Sequence, residues 1–115
     1  MNNIEKGKKQ EELASQYLEQ KGHEIIDKNY RFGRNEIDLI THLNDILIFV
    51  EVKSRKSAIY GYPESSVTKR KQKGIQRAAD AYLQQSDYQG RVRFDIIAII
   101  DTGKSVAIEH FEDAF

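Results

Sequence analysis

Two short runs of apolar residues constrain the fold of this chain more than any other feature. Residues 46–50 and 96–100 are its longest apolar stretches. A membrane span needs about 20 consecutive apolar residues, so neither run can cross a bilayer. Both are rich in β-branched residues, which favour strands. The sequence therefore predicts two buried strands, over residues 46–53 and 92–100, inside a globular domain.

Two amphipathic helices are predicted around these strands. In the first, apolar residues recur every three or four positions up to Leu18, and Gly22 ends the helix. The second is predicted over about residues 64–85, after a break at Pro63. Further strands are predicted over residues 23–32, 36–41 and 106–111. The order α-β-β-β-α-β-β favours an α/β fold, with a mixed five-stranded sheet flanked by helices.

Length and composition narrow the class of protein. A chain of 115 residues predicts a single domain over residues 1–115. The absence of cysteine excludes disulfides, a thiol nucleophile and a thiolate zinc site, and favours a cytoplasmic location. The N-terminal segment contains no apolar run typical of a signal peptide. We therefore expect a cytoplasmic protein without a membrane partner.

Positive charge is concentrated in one segment, although the net charge is zero. Residues 53–79 contain eight basic side chains and one acidic side chain, a net charge of +7. Such a block predicts contact with the phosphates of a nucleic acid, most simply DNA. The alternative is that these basic side chains only form a solvent-exposed helix face and bind no partner. The candidate contact residues are Arg55, Lys56, Lys69, Arg70, Lys71 and Lys73, of which Lys71 lies on the apolar face of the second helix and should lean towards the sheet.

Charged residues interrupt two predicted strands where apolar residues are expected. If residues 36–41 and 46–53 pair through the turn at Asn44, Asp38 lies close to Glu51. Strict alternation places Glu36, Asp38 and Ile40 on one face and Ile37 and Leu39 on the other.

Two carboxylates at that distance repel unless a cation or a shared proton relieves them. Mg²⁺ or Mn²⁺ suits such oxygen ligands, with the Val52 carbonyl as a third donor. Lys53 would then orient the attacking water or offset developing charge on a phosphate. The alternative is that Lys53 forms an ordinary salt bridge with Asp38 or Glu51.

Glu11 is a further candidate for this site. It lies on the apolar stripe of the first helix, where a carboxylate needs a partner. The alternative is that it reaches solvent or pairs with Lys8. The three histidines show no ligand spacing, and each is expected at the surface or at a strand end.

The strand-end residues resemble a known nuclease signature. Asp38 followed by Glu51-x-Lys53 resembles the PD-(D/E)xK motif of restriction-endonuclease-like nucleases. Across its length the chain resembles the YraN-like family of uncharacterised bacterial proteins. The matching motifs are Gly7-x-x-x-Glu11-x-x-Ala14-x-x-Tyr17-Leu18, Asn29-Tyr30-Arg31, Glu36-Ile37-Asp38-Leu39-Ile40, Phe49-Val50-Glu51-Val52-Lys53-x-Arg55, Tyr60-Gly61-x-Pro63, Arg93-Phe94-Asp95, Ile108-Glu109-His110 and Ala114-Phe115.

The resemblance implies a restriction-endonuclease-like core and a structural relation to archaeal Holliday-junction resolvases. By this likeness Asp38 and Glu51 are metal ligands, Lys53 is the catalytic lysine, and Glu11 assists the metal site. Asn35 stands where the family usually has glycine, and asparagine tolerates a left-handed backbone at such a turn.

Together these observations predict a Mg²⁺- or Mn²⁺-dependent DNA endonuclease that hydrolyses phosphodiesters in duplex or branched DNA and forms homodimers. The main alternative is a non-catalytic nucleic-acid-binding module of the same fold. An accessory domain that binds only proteins is a third reading, disfavoured by the basic segment.

Overall fold

The computed structural model describes residues 3–56 and 67–115. The predicted order α-β-β-β-α-β-β is confirmed. The helices are α1 (Asn3–Gln20) and α2 (Lys69–Ser86), and the strands are β1 (Glu24–Phe32), β2 (Asn35–Leu43), β3 (Ile46–Arg55), β4 (Arg91–Asp101) and β5 (Val106–Phe111).

The second helix begins later than the apolar periodicity predicts. Val67 and Thr68 precede α2, and the Thr68 side chain caps it by accepting a hydrogen bond of 3.2 Å from the Lys71 N–H. Val67 is buried below the cap, so its apolar spacing reflects packing rather than helical backbone. The predicted break at Pro63 and the Tyr60-Gly61-x-Pro63 motif lie outside the described residues.

The five strands form one mixed sheet in the order β1-β2-β3-β4-β5. Neighbouring strands are antiparallel except β3 and β4, which run parallel and are joined by the segment containing α2. This agrees with the rule that parallel neighbours need a long crossover, usually helical. The predicted mixed five-stranded sheet is therefore confirmed.

Each face of the sheet packs against one helix. Leu47 and Phe49 of β3 lie in the cluster beneath α2, whereas Ile48 and Val50 lie in the cluster beneath α1. Because both faces are covered, the central strands are apolar on both sides, which explains the uninterrupted runs in the sequence. In the described part of the chain, neither helix is long and apolar enough to cross a membrane.

The expected turn between β1 and β2 is present, but Gly33 rather than Asn35 takes the left-handed backbone. Gly33 adopts the left-handed backbone, with φ of 61°, and Asn35 is the first residue of β2, opposite Phe32. The Asn35 side chain lies against Gly74 of α2, where a Cβ atom would collide with Asn35 Oδ1. Glycine at position 74 therefore makes room for asparagine at position 35, beside the cavity described below.

A buried carboxylate links β4 and β5 on the α1 side of the sheet. Asp95 is fully buried and receives hydrogen bonds of 2.8 and 2.9 Å from Arg93 and of 3.1 Å from the Asp113 N–H. His110 Nε2 lies 2.7 Å from the same carboxylate, and the His110 side chain is 3% exposed. Burial opposes ionisation, but the hydrogen bonds from His110 and Arg93 outweigh it and lower the pKa of Asp95.

All three histidines lie at or directly beside a strand end, as expected, but two of them are buried rather than at the surface. Besides His110, His23 is buried, and its Nδ1 lies 2.8 Å from Thr41 Oγ1. Single histidines carry no sequence signal of burial, because their partners Asp95 and Thr41 come from distant positions in the chain.

We predict that Asp95→Asn lowers the free energy of unfolding by about 3–5 kcal/mol, because it removes the buried counter-charge of the largely buried Arg93 and leaves only the exposed Glu112 at 3.8 Å. Urea unfolding at neutral pH measures this. The exposed Glu109→Gln on β5 is the matched control and should change stability by less than about 0.5 kcal/mol.

The same variants test how the stabilisation contributed by Asp95 depends on pH. Since the pKa of Asp95 is lowered in the folded protein, its stabilisation is complete above the unfolded value of about 3.9 and is lost as the pH falls through the folded value. The stability difference between the wild type and Asp95→Asn should therefore shrink below about pH 4. A difference that grows on acidification would contradict this assignment.

Candidate active site

The ladder between β2 and β3 ends before either strand does. Their pairing runs from Leu43 opposite Ile46 to Leu39 opposite Val50. Beyond that pair, β2 stays beside β1 and β3 stays beside β4. The two strands diverge there, and an open cavity of about 230 Å³ lies at the point of divergence. Its charged lining residues are Arg34, Glu36, Asp38, Glu51 and Lys71.

Asp38 and Glu51 are the next residues on each strand beyond the last pair, where the turn at Asn44 predicted them. Asp38 Oδ2 accepts a hydrogen bond of 2.8 Å from the Val52 N–H. The carboxylate thus binds a backbone N–H at the place where the ladder between β2 and β3 has ended. Val52 therefore contacts Asp38 through its amide, a contact that the sequence did not predict.

The environment of Asp38 disfavours its charged form. Burial, followed by the negative charge of Glu51, raises the pKa of Asp38 to about 8, against the opposing hydrogen bond from Val52. Glu11 and Glu36 add further repulsion. Without a cation nearby, this carboxyl group is therefore held mostly in its protonated form at neutral pH.

Glu11 and Glu36 complete a cluster of carboxylates with Asp38. One carboxylate oxygen from each of the three residues lies within 4.8 Å of the others. α1 contributes Glu11, and β2 contributes the other two. Burial, together with Glu36 and Glu51, raises the pKa of Glu11, although a hydrogen bond with Asn29 opposes the shift.

Glu36 was not among the ligands predicted from sequence. Its spacing of two residues from Asp38 on one strand is the signal that identifies it in retrospect. Glu36 also forms a salt bridge of 2.9 Å with the exposed Arg31 of β1.

The alternation predicted for this part of β2 is wrong. Ile37 and Ile40 both pack in the cluster beneath α2, whereas Leu39 packs in the cluster beneath α1. A regular strand would place Ile37 and Leu39 on the same face. The departure occurs where β2 loses β3 as its neighbour, so the side chains there are no longer held by two ladders.

Glu51 is paired with Lys71 of α2. Lys71 Nζ lies 2.8 Å from Glu51 Oε1, and the two side chains are 44% and 5% exposed. Burial tends to lower the pKa of Lys71, but the hydrogen bond and charge of Glu51 raise it. Lys71 therefore leans towards the sheet, as the helix periodicity predicted.

Lys53 lies near the same group without an ion pair of its own among the described residues. Burial, followed by the neighbouring Lys71, lowers the pKa of Lys53. The salt bridge of Lys53 to Asp38 or Glu51, which was the alternative interpretation, is thus not observed, and Lys71 holds Glu51 instead.

The remaining predicted basic residues lie outside the cavity lining. Lys69, Arg70 and Lys73 are exposed on α2, Arg55 is half-buried at the end of β3, and Lys56 is exposed beyond it. Arg34, in the turn between β1 and β2, lines the cavity, and its single position in a turn carried no sequence signal.

Comparisons with known proteins identify the family. The sequence model described as "Uncharacterised protein family UPF0102" matches residues 10–99. The UPF0102 protein of Cytophaga hutchinsonii is 46% identical over 94% of both chains, and that of Natranaerobius thermophilus is 46% identical over the full length of both. The UPF0102 protein of Chlorobium limicola is 47% identical over 95% of this chain and 90% of its own. The resemblance read from the motifs is therefore confirmed, and the chain belongs to the uncharacterised protein family UPF0102.

Proposed function

We propose that this protein is a metal-dependent DNA endonuclease that hydrolyses phosphodiesters in duplex or branched DNA. The observation that carries the proposal is the convergence of Glu11, Glu36 and Asp38 at a cavity whose other charged walls are Glu51, Arg34 and Lys71. Clustered carboxylates repel one another, and burial adds to this cost. A divalent cation removes it.

The donor atoms fit Mg²⁺ or Mn²⁺. Carboxylate oxygens are hard ligands, and Mg²⁺ sites typically combine one or two carboxylates with water and substrate phosphate. Asp38 would hold the ion, with Glu51, Glu11 and Glu36 as the neighbouring carboxylates and the Val52 carbonyl as a further donor. When bound, such an ion polarises a phosphoryl oxygen and lowers the pKa of coordinated water.

The lysines of the site complement a phosphate group. The Lys53 ammonium lies close to Lys71 and near the carboxylates, so it would favour the negative charge that develops on phosphorus-bound oxygens. Its lowered pKa makes proton release easier than from an ordinary lysine. In this proposal Lys53 orients the attacking water or offsets that charge.

The exposed basic residues of α2 and the end of β3 provide the DNA contact in this proposal. Lys69, Arg70 and Lys73 are available to backbone phosphates. Contacts of this kind position the protein without reading the base sequence. We therefore propose DNA as the partner, bound with little sequence preference.

A non-catalytic nucleic-acid-binding module is the second candidate. Two of the four carboxylates already have cationic partners, Glu36 with Arg31 and Glu51 with Lys71. A purely structural cluster would also contain such pairs. The two candidates differ in whether a metal is required and in what Lys53 does.

Metal binding is tested by Asp38→Asn, which retains an acceptor for the Val52 N–H and removes the charge. We expect Mn²⁺ to raise the melting temperature of the wild type by mass action and to leave that of the variant unchanged. In EDTA the variant should be at least as stable as the wild type, because asparagine removes a carboxyl group that the folded protein drives towards its neutral form. Scanning calorimetry with Glu109→Gln as a control measures both effects. A wild type that binds no divalent ion, even with DNA present, would exclude the catalytic reading.

DNA binding should depend strongly on salt. If about four phosphates are neutralised, log K falls against log salt with a slope of about −3 to −4. Replacing Lys69, Arg70 and Lys73 together by alanine should flatten this slope. The matched control removes three exposed lysines of α1, Lys6, Lys8 and Lys9, and should retain it. An equal loss of slope in both triple variants would contradict an interface on α2.

Lys53→Met separates the two candidate functions. The variant keeps much of the aliphatic stem and leaves Asp38 and Glu51 in place. If the protein is a nuclease, the variant should still fold and bind Mn²⁺ and DNA. Its cleavage of nicked or four-way DNA should fall by about 10²–10³-fold. Wild-type protein that leaves linear, nicked and four-way DNA uncut in both Mg²⁺ and Mn²⁺ would favour the binding module. Cleavage at the wild-type rate by the variant would remove Lys53 from the mechanism.

A further inference from the structure

Lys71 differs from the other cations of its run. Lys69, Arg70 and Lys73 are exposed on α2 and lie outside the cavity lining, whereas Lys71 lines the cavity and reaches Glu51. The reason is helix geometry, since Lys71 shares a face with the buried Ile75 and Ala78. Among the basic residues of this first turn of α2, only Lys71 therefore faces the carboxylates.

The ion pair of Lys71 and Glu51 is asymmetric. The Glu51 side chain is 5% exposed and requires a cation nearby, whereas the Lys71 side chain is 44% exposed. A lysine ammonium is a compact charge on a flexible four-carbon stem. Lys71 can therefore leave Glu51 by rotating its own side chain, without any movement of the sheet or of α2.

The ion pair conflicts with the use of Glu51 as a metal ligand. A divalent ion at Glu51 and the Lys71 ammonium would lie side by side on one carboxylate, and Lys53 adds a third positive charge close to Lys71. Like charges at this distance repel strongly in a partly buried site. A bound ion would thus displace Lys71 to the cavity rim, where a phosphate group of the substrate would enter.

We propose that Lys71 is an exchangeable counter-ion that holds Glu51 in the metal-free protein and becomes a DNA phosphate ligand when a divalent ion takes Glu51. This inference rests on the function proposed above. Its consequence is that metal and DNA bind cooperatively through one side chain. By thermodynamic reciprocity, DNA must tighten metal binding by the same factor as the metal tightens DNA binding.

The first test measures Mn²⁺ affinity without DNA by titration calorimetry. Lys71→Met removes the competing charge, so Mn²⁺ should bind about 2–5-fold more tightly than to the wild type, the scale of a partly exposed ion pair. If Lys71 served only to orient Glu51, the same variant would bind Mn²⁺ more weakly. Lys71→Arg retains the charge and should resemble the wild type. Lys104→Met, in the turn before β5, is the matched control for loss of an exposed lysine.

The second test measures duplex DNA affinity at constant ionic strength with and without Mn²⁺, by stopped-flow anisotropy before turnover. Mn²⁺ should tighten DNA binding by the wild type at least fivefold, and this gain should be reduced to twofold or less in Lys71→Met, on a scale typical of coupled sites. Lys71→Gln serves as the second variant if the methionine variant does not fold. An unchanged gain, or weaker Mn²⁺ binding by both variants, would overturn the exchange.

Failure of this inference is distinguishable from failure of the proposed function. Wild-type protein that binds Mn²⁺ and cleaves DNA, while the Lys71 variants show no gain in Mn²⁺ affinity, leaves the nuclease intact and removes only the exchange. Wild-type protein that binds no Mn²⁺ removes both.

Discussion

The divergence of β2 and β3 is the constraint on which the site depends. The ladder ends at Leu39 opposite Val50, while each strand continues beside its other neighbour. The Asp38 carboxylate accepts the hydrogen bond of the Val52 N–H just beyond the last pair. The strands can therefore separate while the Val52 N–H keeps a hydrogen-bond acceptor. The gap between them becomes a cavity lined by acidic residues.

Asp95 and Asp38 lie in opposite electrostatic environments. Asp95 accepts hydrogen bonds from Arg93 and the Asp113 amide and lies against His110, and its pKa is lowered. Asp38 has one backbone donor and three acidic neighbours, and its pKa is raised to about 8. The first arrangement stabilises the fold by itself. The second is destabilising in the absence of a cation, which is typical of a group retained for binding or chemistry.

Several features of the site were predictable because they depend on local spacing. The short turn at Asn44 determines the register of β2 and β3, so the approach of Asp38 to Glu51 follows from counting residues. The face of α2 that carries Lys71 follows from the helical period. Features that depend on a departure from regular geometry were not predictable. The faces of Ile37 and Leu39 were predicted wrongly because alternation fails where β2 leaves the ladder with β3.

The sequence by itself determined the order of elements, the mixed sheet and the family, because hydrophobic periodicity and motif spacing are local properties of the chain. Apart from Asp38 and Glu51 on neighbouring strands, only the tertiary structure decided which charged groups meet. Glu11 reaches Glu36 and Asp38 because α1 packs across the sheet, and Lys71 pairs with Glu51 because α2 packs on the opposite face. Likewise Asp95 and His110 become partners through the antiparallel pairing of β4 and β5. Electrostatic interaction depends on distance in space, and distances between residues far apart in the chain are set by packing rather than by sequence spacing.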